Sequence, residues 1–217
     1  MNILVKYPTR GRRDQFFDTV QRYISTATTD QWQFLVSTDT NDRWMSDVTT
    51  VTNGVVVHGE SRNKVDAINR DIDQSEYPWD IVLVISDDMW PTGDGWDAKI
   101  ISAMEQYYPD LDGMLWFNDG RQDAICTIPV LGRKYYDRFG YIYHPDYASF
   151  FCDDEQTAVA TALGRVAKID ECIIKHEHPA WGGSMPRDQL YIRNDRYWRQ
   201  DKNLFIRRKL HNFYIAA

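Results

Sequence analysis

Two adjacent carboxylates, Asp87 and Asp88, directly follow Ser86 and the apolar run 81–85. Neighbouring Asp side chains repel each other and lose solvation as they approach the end of a strand, so positive charge normally balances them. A divalent cation bound by carboxylate oxygens and by the diphosphate of a substrate would supply that charge. The alternative is a loop in which both Asp residues serve only as capping or turn residues.

A histidine pair, His176 and His178, follows another apolar run, 172–175. Residues two apart on a strand point to the same side, so we expect both imidazoles on one face, where one of them could complete a metal site with carboxylate ligands. Imidazole beside carboxylate oxygens favours Mn²⁺ over Mg²⁺. Polar packing at the end of a strand is the alternative.

Three consecutive acids, Asp153, Asp154 and Glu155, open a predicted helix over 153–163. Carboxylates in the first turn of a helix are stabilised by the helix dipole, which explains all three residues without a function. The functional interpretation is a general base held near an acceptor hydroxyl.

Basic residues surround the end of the first apolar run, where the segment 8–13 reads PTRGRR. A planar guanidinium suits a phosphate or a nucleobase, so this loop is a candidate contact for either group. Lys64 and the backbone amides at the start of a predicted helix over 61–73 offer a further contact for an anionic substrate. A solvated basic loop is the alternative.

Short apolar runs at 2–7, 33–37, 54–58 and 81–85 must position these polar residues. Near-continuous rather than alternating apolar runs are typical of strands covered by helices on both faces, so we predict an α/β fold with a mostly parallel sheet. Such sheets bind ligands at the carboxyl ends of their strands. In the second half, the runs 113–117, 124–131 and 168–175 predict strands of mixed direction.

The composition is that of a globular chain, with 217 residues, 43% of them hydrophobic, and a formal charge of −7. No apolar run approaches the roughly 20 residues that span a bilayer, and the start lacks the layout of a signal peptide, so we expect a cytoplasmic protein without a transmembrane segment. The sequence also lacks a Walker-type loop and the patterns G-x-G-x-x-G, G-x-S-x-G and H-E-x-x-H. These absences argue against P-loop NTPases, Rossmann dehydrogenases, α/β-hydrolases and zincins.

The charge is distributed unevenly along the chain. Residues 187–217 hold eight Lys and Arg against three Asp, a net charge of +5, which leaves −12 for residues 1–186. Tyr191, Tyr197 and Trp198 are interleaved with these basic residues, a mixture that suits a nucleic-acid backbone and its bases. We therefore predict a domain over 1–186 and a basic aromatic helical extension over 187–217. An amphipathic helix that packs on the domain or contacts anionic lipid is the alternative.

Taken in order, these motifs resemble those of GT-A glycosyltransferases over residues 2–185, in particular family-2-like nucleotide-sugar transferases of the short phage-encoded type. The resemblance implies a GT-A fold and a metal-dependent, inverting transfer from a nucleoside-diphosphate sugar, with UDP as the expected nucleotide. It implies Mn²⁺ or Mg²⁺ as the cofactor, and the host cytoplasm as the location if the chain is phage-encoded.

The same resemblance implies a metal site built on the Ser86-Asp87-Asp88 segment. Asp88 would bind the metal together with His176 or His178. Spacing does not decide between the two imidazoles, although His178 is favoured because it lies beside Pro179. Ser86 stands where the motif usually has its first acid, so the division of roles between the two Asp residues stays open.

The resemblance also implies a base and a set of nucleotide contacts. Asp154 would be the base, within the acidic group that also holds Asp153 and Glu155. The contacts to the nucleotide sugar would come from Pro8, Thr9, Arg10, Arg12, Asp39, Lys64, Asn69 and Asp87.

The acceptor implied by the phage-like resemblance and the basic extension is hydroxymethyl-pyrimidine DNA, with the target base flipped out of the duplex. A glycan acceptor is the alternative within the same family. A nucleotidyltransferase is a second alternative, since it would share the α/β core and the acidic metal site. A nucleotide-binding module without activity is a third, because Ser86 departs from the motif. The sequence carries no signal for an oligomeric state.

Overall fold

An eight-stranded sheet and a two-stranded ribbon organise the described part of the chain, which in this computed structural model comprises residues 1–184 and 187–215. The strands are β1 (Ile3–Pro8), β2 (Trp32–Asp39), β3 (Thr50–Val51), β4 (Gly54–Gly59), β5 (Ile81–Val84), β6 (Met89–Pro91), β7 (Met114–Phe117), β8 (Val130–Gly132), β9 (Val166–Ile169) and β10 (Ile174–His176). The helices are α1 (Arg13–Thr26), α2 (Lys64–Asn69), α3 (Trp96–Tyr107), α4 (Arg133–Asp137), α5 (Cys152–Ala162), α6 (Gln189–Asp195) and α7 (Trp198–Leu210).

The main sheet has the strand order β3-β4-β2-β1-β5-β8-β7-β9. The strands of the first half pair in parallel, with β1 between β2 and β5, and β4 beside β2. The second half is mixed, because β8 runs antiparallel to both β5 and β7 while β9 is parallel to β7. The predicted α/β fold, mostly parallel with mixed strands in the second half, is confirmed.

Helices cover both faces of this sheet. Ile3 and Val5 of β1 belong to a core that includes Phe16 of α1 and Trp96 of α3. Leu4, which points to the opposite face, belongs to a second core with residues of α2, α4 and α5: Val65, Ile68, Tyr135, Tyr136 and Ala160. Because the central strands β1 and β5 are buried on both faces, their sequences are apolar at nearly every position.

The predicted strand over 124–131 is wrong for most of its length, since only Val130–Gly132 forms a strand. Side chains hold the preceding residues in a loop instead. The amide of Cys126 donates to Thr157 Oγ1 at 2.9 Å, and the hydroxyl of Thr127 donates to Asp119 Oδ2 at 2.7 Å. The first bond satisfies a backbone amide that a sheet would otherwise pair, and the second fixes the neighbouring side chain, so the apolar run does not extend β8.

The predicted strand over 168–175 is two strands that belong to different sheets. β9 lies in the main sheet, whereas β10 pairs antiparallel with β6. The register of this ribbon places His176 opposite Met89. The ribbon thereby brings the end of β10 to the residues that follow β5.

Two buried charges attach α7 to the rest of the chain. Asp201 is fully buried, and its carboxylate accepts hydrogen bonds of 2.8–3.3 Å from the amides of Ala148, Ser149 and Phe150. Arg208 donates to both oxygens of Glu155 at 2.8–3.0 Å. The hydroxyl of Tyr147 donates to the same carboxylate at 2.7 Å, so polar partners compensate each of these buried charges.

The predicted division of the chain at 186/187 falls beside residues 185–186, which lie outside the described residues. The helices α6 and α7 form the predicted helical extension. The assignment of separate domains stays a prediction. Among the described helices, none has the length and apolar character to cross a bilayer.

Replacing Arg208 with Met should destabilise the chain by about 3 to 5 kcal/mol, because Glu155 would remain buried without its counter-charge. Urea denaturation followed by tryptophan fluorescence measures the free energy of unfolding. The exposed neighbour Arg207→Met is the matched control and should change it by less than about 0.5 kcal/mol. The double variant Glu155→Gln/Arg208→Met should recover part of the loss. Equal stability of Arg208→Met and Arg207→Met would show that the pair does not anchor α7.

Candidate active site

A cavity of about 720 Å³ opens at the carboxyl ends of β1, β2 and β5. Ten predicted site residues and both histidines line it: Pro8, Thr9, Arg10, Arg12, Asp39, Lys64, Asp87, Asp88, Asp153, Asp154, His176 and His178. Two predicted residues, Asn69 and Glu155, are not among its lining residues. The fold therefore assembles most of the predicted set at one edge of the sheet, where an open α/β sheet binds its ligands.

Asn69 and Glu155 have structural contacts instead. The amide of Asn69 donates to the carbonyl of Tyr143 at 2.6 Å, and its oxygen accepts from the backbone amides of Ile142 and Tyr143 at 3.0 and 3.1 Å. Glu155 is the partner of Arg208 described above. Both side chains are thus occupied in holding the chain around the cavity.

Asp39 ends β2 and offers a hydrogen-bond acceptor to the cavity. Its Oδ2 accepts from the guanidinium of Arg10. Its Oδ1 is buried and has no hydrogen-bond partner among the described residues. A buried acceptor without a partner costs free energy, which a ligand N–H would recover.

A buried lysine beneath this end of the sheet is a feature that the sequence interpretation missed. Lys6 donates to Ser37 Oγ and to the carbonyl of Arg70 at 2.7 Å. Burial lowers the pKa of Lys6 to about 7, with the charge of Asp71 acting in the opposite direction. Arg70 in turn donates to the carbonyl of Thr38 at 2.7 Å, so this network fixes the end of β2. The signal for it was a lysine in the middle of an apolar strand.

Asp87 is held by β1 and the loop after it. Its Oδ1 accepts from the hydroxyls of Tyr7 and Thr9 at 2.7 and 2.9 Å, and Arg12 Nη1 lies 3.6 Å from its Oδ2. Burial raises the pKa of Asp87 to about 6, against the lowering effect of Arg12 and the two hydroxyls. These partners orient the carboxylate, which also lines the cavity.

Asp88 faces a different set of partners. Its Oδ1 accepts from the hydroxyl of Ser86, and its Oδ2 accepts from the hydroxyl of Tyr191 at 2.7 Å. His176 Nε2 lies 3.5 Å from the same Oδ2. Burial opposes ionisation, but the contact with His176 and the two hydroxyls outweigh it and hold the pKa of Asp88 well below its usual range. Asp88 is therefore a buried carboxylate that stays charged.

The donor set of Asp88 and His176 fits a divalent cation. His176 Nε2 and Asp88 Oδ2 are 3.5 Å apart, so both atoms could reach one divalent ion. Within residues 1–184 and 187–215, no group of three or more His, Cys, Asp and Glu side chains forms a complete metal site. Asp88 and His176 would hold such a cation together with substrate phosphates and water, a combination that is usual for Mg²⁺ in phosphate-binding sites.

The two histidines occupy different positions. His176 contacts Asp88, whereas His178 Nδ1 accepts from the amide of Ala180 at 3.2 Å. Their rings lie 5.5 Å apart and nearly perpendicular, at 77°. Burial lowers the pKa of His178 to about 4, partly offset by the charge of Asp88. The structure thus brings the imidazole of His176 to the carboxylate, although the sequence favours His178.

The acids at the start of α5 divide between two environments. Asp153 and Asp154 line the cavity, and the amide of Asp154 donates to Asp153 Oδ1 at 3.1 Å. Burial and the neighbouring charge of Asp153 raise the pKa of Asp154 to about 6. Their place in the first helical turn also fits the stabilising effect of the dipole, so the two interpretations are compatible.

Tyr191 of α6 is the main cavity residue to which the sequence interpretation gave no role at the metal site. Besides its bond to Asp88, its ring lies 4.5 Å beneath the guanidinium carbon of Arg12 and 5.0 Å from the ring of His178. Only the three-dimensional path of the chain places α6 over the end of β5. The sequence signal was limited to an aromatic residue within the basic extension.

No family model and no curated protein sequence matches this chain. Solved structures do match it. A mannosyltransferase from Pyrobaculum calidifontis in complex with GDP-Man and Mn²⁺ aligns with a TM-score of 0.66 and 15% identity over 95% of this chain. TarS 1-349 from S. aureus in complex with UDP-GlcNAc aligns with a TM-score of 0.60 and 13% identity over 90% of this chain.

A third structure, Drosophila beta-1,4-galactosyltransferase 7 with manganese, UDP-Gal and xylobiose, aligns with a TM-score of 0.52 and 12% identity over 89% of this chain. This chain has the GT-A fold. It spans 64% of the length of the mannosyltransferase, 65% of TarS 1-349 and 79% of the galactosyltransferase. In this GT-A fold, the cavity lies at the carboxyl ends of the first-half strands, and the Asp88–His176 contact joins the main sheet to the β6–β10 ribbon.

Replacing Asp153 with Asn should lower the pKa of Asp154 below 6, because the substitution removes the neighbouring charge. It should leave that pKa above the ordinary Asp value, since Asp154 stays buried. Carbon-13 NMR of the side-chain carboxyls measures the titration. The exposed Asp137→Asn variant on α4 is the control and should leave the titration of Asp154 unchanged. An unaltered pKa in Asp153→Asn would contradict charge coupling between the two acids.

Proposed function

We propose that this chain is a metal-dependent glycosyltransferase that transfers a sugar from a nucleoside-diphosphate sugar to an acceptor hydroxyl. The observation that carries the proposal is the Asp88–His176 contact in a cavity that also holds Asp39 and Asp154. A cation-binding pair, a nucleobase acceptor and a candidate base are three groups that such a transfer uses. The nucleotide sugars and Mn²⁺ in the solved GT-A neighbours support the same chemistry.

The nucleotide is proposed to lie along the loop after β1 and the end of β2. The unsatisfied Oδ1 of Asp39 would accept the imide N–H of uracil, which favours UDP over nucleotides without such a donor. The guanidinium of Arg10 donates to the other oxygen of that carboxylate, Oδ2. Lys64 begins α2 at the cavity wall, where its ammonium group can pair with a phosphate.

Asp88 and His176 would hold the cation at the diphosphate, where a bound divalent ion neutralises the charge of the leaving group. Arg12 adds fixed positive charge nearby, because its guanidinium lies 3.6 Å from Asp87 and is itself buried. Asp87 would contact the ribose, since it lines the same cavity and has two carboxylate oxygens held in place by Tyr7, Thr9 and Arg12. The guanidinium of Arg12 would thereby face the diphosphate, and the carboxylate of Asp87 would accept hydrogen bonds from the ribose hydroxyls.

Asp154 is proposed as the base that takes the proton of the acceptor hydroxyl. With its pKa raised to about 6, it is mostly ionised at neutral pH and has a higher proton affinity than an ordinary Asp. The hydroxyl would attack the sugar carbon directly as the bond to the diphosphate breaks. A single displacement of this kind inverts the configuration at that carbon.

Asp88→Asn should abolish Mn²⁺-dependent binding of UDP, because the amide cannot balance the charge of a cation. Asp154→Asn should retain donor binding but lose transfer by about 100-fold to 10,000-fold, the usual contribution of a general base. Calorimetric titration with UDP and Mn²⁺ measures binding, and incorporation of radiolabelled sugar from a panel of UDP-sugars into DNA and glycan acceptors measures transfer. The exposed Asp94→Asn variant is the matched control. Robust transfer by either site variant would refute the assigned roles.

The acceptor is proposed to be a polyanion, with hydroxymethyl-pyrimidine DNA as the specific candidate. Arg193, Tyr197 and Trp198 of the extension line the same cavity as Asp153 and Asp154. Trp198 is 47% exposed, and its ring lies 5.9 Å from that of Phe151. Lys202 Nζ lies 4.7 Å from the centroid of the Trp198 ring, and the guanidinium carbon of Arg196 lies 4.6 Å from that of Tyr197. The exposed basic residues of the extension are Arg193, Arg196, Arg199, Lys202, Arg207 and Lys209. Exposed cations beside an exposed indole are suited to phosphates and a stacked base.

If DNA is the acceptor, its affinity should fall steeply with salt, because bound phosphates release counterions. The Arg199→Ser/Lys202→Ser variant should reduce the slope of log affinity against log salt by about 2. Fluorescence anisotropy with a hydroxymethylcytosine-containing DNA measures the affinity at each salt concentration and therefore the slope. Arg133→Ser/Lys134→Ser on α4, at the amino end of β5, is the matched control and should keep the wild-type slope. A flat salt response of the wild type, or transfer to a neutral glycan instead, would exclude the DNA acceptor.

A further inference from the structure

We infer that Tyr191 is a positioning residue for the metal-binding carboxylate and that it couples the docking of α6 to occupation of the metal site. The inference rests on the proposed function, because it assigns Asp88 to a cation. It concerns a side chain from the extension, more than a hundred positions after Asp88 in the sequence. Tyr191 acts through Asp88 and is not itself assigned as a ligand.

The hydroxyl of Tyr191 and the imidazole of His176 meet at the same atom. Tyr191 donates to Asp88 Oδ2 at 2.7 Å, and His176 Nε2 lies 3.5 Å from that oxygen. A carboxylate oxygen has two lone pairs, so Asp88 Oδ2 can accept the hydrogen bond from Tyr191 and still offer a lone pair to a cation that Asp88 and His176 would hold. Ser86 holds Oδ1, which leaves the carboxyl group little freedom to rotate.

Three contacts hold Tyr191 in this position. Arg12 lies over its ring with the guanidinium carbon 4.5 Å from the centroid, and the ring of His178 packs against it at 5.0 Å. Arg12 also binds Asp188 at 2.7 and 3.1 Å. Asp188 caps α6 by accepting from the amides of Leu190 and Tyr191 at 3.0 and 3.2 Å. Arg12 thus ties the first-strand loop to both the cap and the aromatic ring of α6.

The coupling follows from linkage. If docked α6 orients Asp88 for a cation, then a bound cation must stabilise docked α6 by the same free energy. Carboxylate ligands are commonly held by hydrogen bonds from a second layer of residues, and loss of such a bond typically weakens metal affinity by about 10-fold to 100-fold. Removal of the Tyr191 hydroxyl should therefore affect both the affinity for the ion and the protection of the segment around α6.

The first measurement is the affinity for Mn²⁺ at saturating UDP, by calorimetry and by the electron paramagnetic resonance of free Mn²⁺. Tyr191→Phe should weaken Mn²⁺ binding by about 10-fold or more, while excess Mn²⁺ restores full UDP binding. Tyr107→Phe, an exposed Tyr→Phe change on α3, should bind like the wild type. Unchanged affinity would overturn the positioning role. Tighter binding would also overturn it, since it would mean that the hydroxyl competes with the ion.

The second measurement is trypsin cleavage at Arg187, Arg193 and Arg196 in the full-length chain. Tyr191→Phe should be cleaved faster than the wild type without ligand, and UDP with Mn²⁺ should protect the wild type more than the variant. Asp188→Asn keeps a residue suited to capping but loses the charge that binds Arg12, so it too should be cleaved faster. Equal cleavage of all three proteins would overturn the coupling.

The two measurements separate this inference from the proposed function. Wild-type protein that binds neither UDP nor Mn²⁺ would refute the proposed function and, with it, the role of Tyr191 at a cation. Wild-type protein that binds both, with Tyr191→Phe indistinguishable from it in affinity and cleavage, would leave the proposed function standing and refute the inference alone.

Discussion

Two carboxylates lie side by side at the end of β5, both almost inaccessible to solvent, and the rest of the site depends on how their charges are compensated. Buried charges are tolerated only where polar partners replace the lost water. Asp87 takes its partners from β1 and the loop after it: Tyr7, Thr9 and Arg12. Asp88 takes its partners from β10 and α6, through His176 and Tyr191. Segments distant in the sequence are therefore held at one point at the edge of the sheet.

The same constraint separates the properties of the two acids. Burial raises the pKa of Asp87 to about 6, whereas the partners of Asp88 overcome its burial and hold its pKa below the usual range. The pKa values of these two adjacent Asp residues thus differ because the side chains around them differ. Asp88, the acid that stays charged, is also the one that contacts the imidazole of His176. A carboxylate beside an imidazole is a combination of ligands that suits a divalent cation. Asp154 has a third environment, in which burial and the charge of Asp153 raise its pKa to about 6 against a smaller lowering effect of Lys209.

The parts of this structure that follow from local pattern could be predicted from the sequence, and those that follow from contacts between distant segments could not. Near-continuous apolar runs indicated strands buried on both faces, and that pattern placed Asp39 and Asp87 at strand ends. The split of 168–175 into β9 and β10 depends on pairing with β6, which no local pattern reveals. Glu155 was expected with its neighbours in the site, but a helix turns about 100° per residue and carries it to Arg208 instead. Hydrogen bonds to the backbone likewise removed Asn69 from the cavity.

The extension illustrates why net charge alone is a poor guide to partners. Of its eight basic residues, Arg208 neutralises a buried acid and Arg187 pairs with Asp195, so neither contributes fully to an outward field. Asp188 and Asp201 are also engaged, one with Arg12 and one with backbone amides. The remaining exposed Arg and Lys therefore lie on a surface with less acidic compensation than the count suggests. This surface borders the cavity, where Arg10, Arg12 and Lys64 lie among the carboxylates of the lining, so the positive charge without acidic compensation lies mainly at the rim. Such a field would hold a polyanion at the rim while a single uncharged hydroxyl group enters toward Asp154.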